Sequence, residues 1–387
     1  MLSQSLPGKA QAVEPSLAIA DSIASLISQL ESDSFLHRSQ AKQELLRLAN
    51  DHESELLVQT SLQTATLSAS LEIHESASRL LHDIELRQTE SETARLLDMS
   101  VSAESIRLPL WRKYSRMAGS DLQARKLFAK LVDQYIDQLR WLSRCDQTPE
   151  HVSTNRQAIA RRVTKLQLSD SLDPYAIATD DAPLWALLFC VDDPASRYGW
   201  NGLTTRTTLA LVRTGGGPMV GSQGDFEVIS RMIAGWIEKS RNTGLDRERL
   251  MIALKFGCHQ EAHALCDEVL NDPLATPSSH AMALLCASVL QRADLDQQLM
   301  RRIDDQRTAH VWQLIASRKT KIRTQVGDVA LALLLHRRGI DPRDVGFVEL
   351  QADPIVVFRE HSLGFADETA RQRAYANAQS LIRSVEN

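Results

Sequence analysis

Apolar residues recur at three- and four-residue steps through most of this chain. Between residues 18 and 86 they do so as one pattern written twice. The first copy holds Ile27 and Leu30, a Ser32-Asp33-Ser34 turn, and then Phe35, Arg38, Ala41, Leu45 and Leu48. A shift of 36 residues puts Phe35 on Leu71, Ala41 on Ala77, Leu45 on Leu81 and Leu48 on Ile84, with His74 in the place of Arg38. This spacing predicts helices that each bury one apolar stripe. The small alanine inside each stripe marks where a neighbouring helix comes close. A hairpin of two such helices cannot bury its face alone and is expected to stack on the next.

The helical period continues downstream. Residues 88–103 read as a polar helix or linker, and a helix capped at Ser120-Asp121 runs through Leu127, Phe128, Leu131 and Tyr135 to Leu142. Residues 148–169 carry Arg156, Arg161, Arg162 and Lys165 off an apolar stripe, and 184–191 are apolar on every side, as in a buried helix. From 225 onward, helices are predicted over 226–240, 246–256, 259–270, 278–292, 304–321 and 327–338. Asp341-Pro342, Gly346-Phe347 and Asp353-Pro354 then mark an irregular segment in which 355–358 suits an extended strand. A last helix over 368–385 is expected to fold back and cap the open end of the stack. The organisation read from these shifts is a tail at 1–16, the repeat pair at 17–103, a helical region at 104–191, a Gly-rich connector at 192–224, helical hairpins at 225–340 and a C-terminal cap at 341–387.

Two resemblances attach to particular residues. The apolar helix ending at Leu30, the Ser-Asp turn and the run Phe35-x-x-Arg38-x-x-Ala41-x-x-x-Leu45 resemble HEAT-type helical repeats. Leu108-Pro109-Leu110-Trp111, Gly119-Ser120-Asp121, Gly327-Asp328-Val329-Ala330 and Ser362-Leu363-Gly364-Phe365 are similar to segments of an uncharacterised family of bacterial helical proteins. The first resemblance implies a helical scaffold, and neither implies an activity. The expected fold is therefore all-α: an α-solenoid, HEAT-like at the N-terminus, with irregular helical hairpins after it and a C-terminal tail and helix as its cap.

Composition agrees with stacked helices. Hydrophobic residues make up 43% of 387 but aromatics only 5%, which suits Leu/Ala packing and disfavours an all-β core. A net charge of −5 gives no global reason to expect nucleic acid or an anionic membrane as partner. The five cysteines are odd in number and irregularly spaced, so buried thiols are expected in place of a disulfide framework. No stretch approaches the ~20 apolar residues of a membrane span. Residues 1–16 have two readings. As written they are a disordered tail on a cytoplasmic protein; if the true start lies upstream, Ala10-Gln11-Ala12 ends a signal peptide and the protein is exported.

Candidate chemistry is sparse. His259, His263 and Cys266 stand at i, i+4 and i+7 on one helix, a spacing that could hold zinc with one position open. Glu261 does not directly follow His259, so the His-Glu-x-x-His base is missing. A core-facing helix with two flanking histidines accounts for the same residues and is the better reading. Arg318, Lys319, Lys321 and Arg323, with Arg301, Arg302 and Arg307 before them and Arg337, Arg338 and Arg343 after, form a basic stretch over 301–343 that could meet phosphate or nucleic acid. No aromatic residue interleaves with the run 318–323, and a solvated surface explains it better. Gly216 and Gly221 have the spacing of a phosphate-binding loop, but Ser222 and Gln223 stand where Lys and Ser/Thr are needed. Nucleophile motifs are absent, and Asp180-Asp181, Asp192-Asp193 and Asp304-Asp305 sit in turns or at helix starts, where acids cap.

These readings lead to a non-enzymatic scaffold that binds a protein or peptide along a concave helix surface, with no catalytic residue and no cofactor assigned. The alternatives are a metal-binding protein or enzyme built on His259, His263 and Cys266, and a phosphate- or nucleic-acid-binding protein built on 301–343.

Overall fold

The computed structural model describes residues 14–51, 53–145, 182–191, 222–240, 244–313 and 321–386. The described residues are predominantly helical and include two small antiparallel ladders. They divide into two compact units, one of residues 1–101 and 106–108, the other of 102–105 and 109–387.

The N-terminal unit consists of helices α1 (Glu14–Ser28), α2 (Phe35–Ala49), α3 (Glu55–Ala65) and α4 (Leu71–Leu97). Each hairpin turns in the same way. Ser34 N–H donates to Ser32 Oγ at 3.3 Å and Ser70 N–H to Ser68 Oγ at 3.2 Å. Ser34 and Ser70 then cap the next helix by accepting from His37 N–H and Ile73 N–H. Arg38 and His74 reach back to carbonyls of the preceding turn, at Ser32 and Thr66. α1 packs on α3 and α2 on α4, with Ala41, Leu45, Val58, Leu62, Ala77 and Ile84 in one buried cluster.

The stripe read from the sequence needs one correction. Phe35 and Leu71 are not buried but stand 76% and 70% exposed. Both are the first residue of their helix, and a helical side chain leans toward the helix N-terminus, so at that position it projects past the last packed turn.

The C-terminal unit opens with α5 (Trp111–Ala118) and α6 (Leu122–Cys145), followed by α7 (Ala182–Val191) and α8 (Gln223–Lys239). Trp111, Tyr114 and Phe128 meet with ring centroids 4.7–5.8 Å apart, which makes the early aromatic residues packing groups. Ser222 and Asp225 form a capping box that starts α8. The glycine loop before it, the basic helix predicted at 148–169 and the N-terminal tail at 1–13 lie outside the described residues.

Next come α9 (Asp246–Lys255), α10 (His259–Asn271) and α11 (Pro277–Val289), close to the predicted spans, and α12 (Leu295–Arg302), where no helix is predicted. α11 is the hub. It contacts α9, α10 and α12 on its way through the unit, and its residues 279–287 are all buried.

Over its described residues, 304–313 and 321, the helix expected at 304–321 is not formed. β1 (Thr308–Gln313) and β2 (Lys321–Gln325) occupy its ends as an antiparallel pair, with Trp312 opposite Ile322 and Val311 opposite Arg323. Val311, Trp312, Leu314 and Ile315 have helical spacing, but β2 alternates exposed Lys321 and Arg323 with buried Ile322 and Thr324. A period of two decides for strand. Chain from far downstream then completes the pairing: Arg323 and Phe365 exchange backbone hydrogen bonds of 3.0 and 3.1 Å.

β2 runs directly into α13 (Val326–Arg337), whose first ten residues are all buried, as its apolar sequence implies. β3 (Ala352–Asp353) and β4 (Val357–Phe358) make a tight hairpin, and α14 (Glu368–Glu386) closes the chain. One buried cluster fixes α14. Asp328, fully buried at the start of α13, accepts from Gln325 N–H at 2.8 Å and from Arg371 Nε–H at 3.0 Å. Arg371 also donates to Arg323 O and stacks over Phe365, and Tyr375 O–H reaches Ile303 O at 3.3 Å. Burial pushes the Asp328 carboxyl up to about 6, with the Gln325 N–H and Arg371 opposing it, so it is ionised at neutral pH.

Candidate binding cleft

The segment 351–365 is irregular because its own sequence stops both helix and sheet. Asp353 precedes Pro354, and its Oδ1 accepts from Ile355 N–H at 2.8 Å and Val356 N–H at 3.1 Å, which forms a turn. The turn leaves Val357 at φ 67°, a left-handed conformation that a β-branched residue adopts only under strain. Packing supplies the compensation. Phe358 is buried against the His336 ring at 5.2 Å, and Ser362 Oγ bonds both Gln351 N–H and Arg359 O. The segment therefore lies strapped across α9, α11 and β2.

Between the strap and the helices is a cleft of about 260 Å³. α9 contributes Arg247 and Met251, α11 contributes Met282, and the strap contributes Asp353, Val356, Arg359, Glu360 and His361. Glu360 is buried and accepts from Arg247 Nε–H at 2.9 Å and from Ser278 Oγ–H at 3.1 Å. Burial works against the charge of Arg247, but Glu360 and Glu248 outweigh it and hold the guanidinium above its usual range. On the cleft wall, the His361 ring meets Trp312 edge-on at 5.3 Å and lies 6.3 Å from His310. Burial, with His310 and Arg359 nearby, pushes His361 below the ordinary imidazole range and favours its neutral form. A neutral imidazole, an anchored ion pair and two thioethers make a binding surface.

The residues singled out from sequence are placed elsewhere. On α10, His259 and His263 are exposed while Cys266 is buried, its thiol 3.6 Å from Ala283 O on α11. The three do not converge on one point, and among the described residues no three His, Cys, Asp or Glu side chains are placed to hold a metal ion. Cys258, Cys266 and Cys286 are buried free thiols, and burial pushes Cys258 up to about 12.

In the basic region, Arg307 pairs with Asp305, Arg337 with Asp296 and Arg343 with Asp341, while Arg302 donates to the Gln298 side chain and the Leu270 carbonyl. Residues 318–320 lie outside the described ones. No described helix is long and apolar enough to cross a membrane.

Sequence reasoning missed Arg247, Arg359, Glu360 and His361. Only the loop chemistry around Asp353-Pro354 pointed toward them, because long irregular segments in compact units tend to be functional. Comparison with protein families, curated proteins and solved structures finds no match to this chain.

Proposed function

We propose that this chain is a non-enzymatic helical-repeat protein, HEAT-like at 17–103 and solenoid-forming, that binds a protein partner through an apolar edge of its N-terminal hairpins. One observation carries the reading. Phe35, Leu36, Leu67 and Leu71 are 76%, 62%, 85% and 70% exposed. Phe35 and Leu36 open α2, Leu71 opens α4, and Leu67 lies in the turn before it. Phe35 and Leu71 each follow the same serine-capped turn, so the exposed apolar position recurs from one hairpin to the next. Single exposed hydrophobics are ordinary, and it is this recurrence that favours a contact surface. Repetition of the same exposed position in both hairpins favours an elongated apolar segment as partner. This edge, and not the concave helix face expected from sequence, is the surface that supports the reading.

The test is affinity capture from the host with the parent chain and with Phe35→Glu/Leu71→Glu. Both positions are exposed, so stability should move by no more than ~0.5 kcal/mol. Proteins captured by the parent and lost with the double variant support the proposal. An identical set captured by both removes it.

A further inference from the structure

The cleft in the C-terminal unit holds two charges that its fold leaves unmatched. Arg247 and Glu360 neutralise one another at its floor. Asp353 uses one oxygen on the turn amides, and Arg359 uses one nitrogen on the Gln351 side chain at 3.3 Å. Neither meets an opposite charge among the described residues. Their placement follows from the hairpin. Asp353 pairs with Val357 at the end of the hairpin, and Arg359, two positions on, is tied back by its N–H to Gln351 O at 2.9 Å, so both side chains stand on the cleft lining. Beside this carboxylate and guanidinium lies half-buried Met251, with Met282 and Val356 buried behind it, an apolar side with two adaptable thioethers.

We propose that the cleft binds a free α-amino acid with an apolar side chain. Its carboxylate meets Arg359, its ammonium meets the free oxygen of Asp353, and its side chain lies against Met251 and Met282. Three features select this class. The volume of about 260 Å³ falls below the ~300–1,000 Å³ of pockets for drug-sized ligands, which favours a small ligand. A simple carboxylate would satisfy Arg359 but face Asp353, and a simple amine would satisfy Asp353 but face Arg359 and Arg247. Only a zwitterion answers both, and discrimination rests on those mismatches as much as on attraction. The site is separate from the apolar edge of the N-terminal unit and does not depend on that reading.

Calorimetric titration of the full chain with L-leucine tests the proposal, with 4-methylpentanoate and 3-methylbutylamine as probes that keep the carbon skeleton on either side and each lack one charged group. L-Leucine should bind saturably at millimolar concentration or below, and each single-charge probe about tenfold or more weaker, as expected for loss of a charge-assisted hydrogen bond. Asp353→Asn keeps the acceptor for the turn amides and Arg359→Gln alters an exposed position; each should lower L-leucine affinity by a similar factor with an unchanged circular dichroism spectrum. If Asp353→Asn fails to fold, Arg359→Gln and the probe series still decide. No saturable heat with L-leucine, 4-methylpentanoate binding as tightly as L-leucine, or unchanged affinity in a folded variant would each overturn it.

Discussion

Replacing Arg371 by Met should give a stability loss that depends on pH, because its partner Asp328 titrates. In the folded protein Asp328 ionises at about 6, against 3.8 for the ordinary carboxyl. The sign follows from proton counting. Between those values the folded state keeps a proton that the unfolded chain has released, so stability falls as pH rises from about 4 to about 6 and is level above. Arg371 limits that fall by donating from Nε and Nη2 to the carboxylate. Removing hydrogen bonds to a buried charge costs ~1.5–3 kcal/mol, equivalent to about 1–2 further pKa units. Asp328 in the variant should therefore ionise near 7–8, and the loss window should extend to that pH. Met keeps the length of the side chain and a sulfur to pack on Phe365, over which Arg371 now lies.

All six tryptophans belong to the C-terminal unit, so urea denaturation followed by tryptophan fluorescence reports that unit alone. The expected difference between parent and variant is ~1.5–3 kcal/mol at pH 8 and much smaller at pH 5, where Asp328 is protonated in both. Equal penalties at pH 5 and pH 8 would refute the reasoning, since the Asp328–Arg371 pair would then contribute packing and no charge.

Two further substitutions test the fold. A Cβ at Gly364 would lie 2.6 Å from the Arg323 carbonyl and 2.7 Å from Thr324 N, both backbone, so Gly364→Ala should lower stability by at least the ~1–3 kcal/mol of an overpacked site and weaken the contact of the strap with β2; an unchanged urea midpoint by fluorescence would show that the strap is not held there. Leu45→Ala in the buried cluster of the N-terminal unit should cost ~2–5 kcal/mol, visible in circular dichroism but silent in tryptophan fluorescence, and a matching shift in both signals would contradict the two-unit division.

The N-terminal hairpins were legible because their determinants are local. Ser34 and Ser70 cap their own helices, Ala41 and Ala77 sit at the same place in each stripe, and a shift of 36 residues is enough to find them. The placement of Phe35 and Leu71 was not, since apolar spacing tells which side of a helix a residue faces and not whether the helix extends beneath it. The pair β1 and β2 failed for a related reason. Val311 and Trp312 begin a spacing compatible with a helix, and the choice of strand is completed by the backbone of Phe365, far along the chain.

The cleft lies at the far end of that scale, and its composition shows why sequence patterns passed over it. Its charged residues come from α9 and from a turn more than a hundred positions later, and Arg247 becomes a floor residue only because Glu360 is carried to it. That delivery depends on three contacts of the strap: Phe358 against His336, Ser362 with Gln351, and Gly364 with the β2 backbone. Each is an anchor that a search for catalytic motifs has no reason to notice. Between them stands Val357 in a conformation costing of order 1–3 kcal/mol, held because both flanks are fixed. A fold without use for the turn could relax that residue by lengthening the loop. Retaining it places Asp353 and Arg359 together on the cleft lining, and that juxtaposition is where the chemistry of the C-terminal unit should be sought.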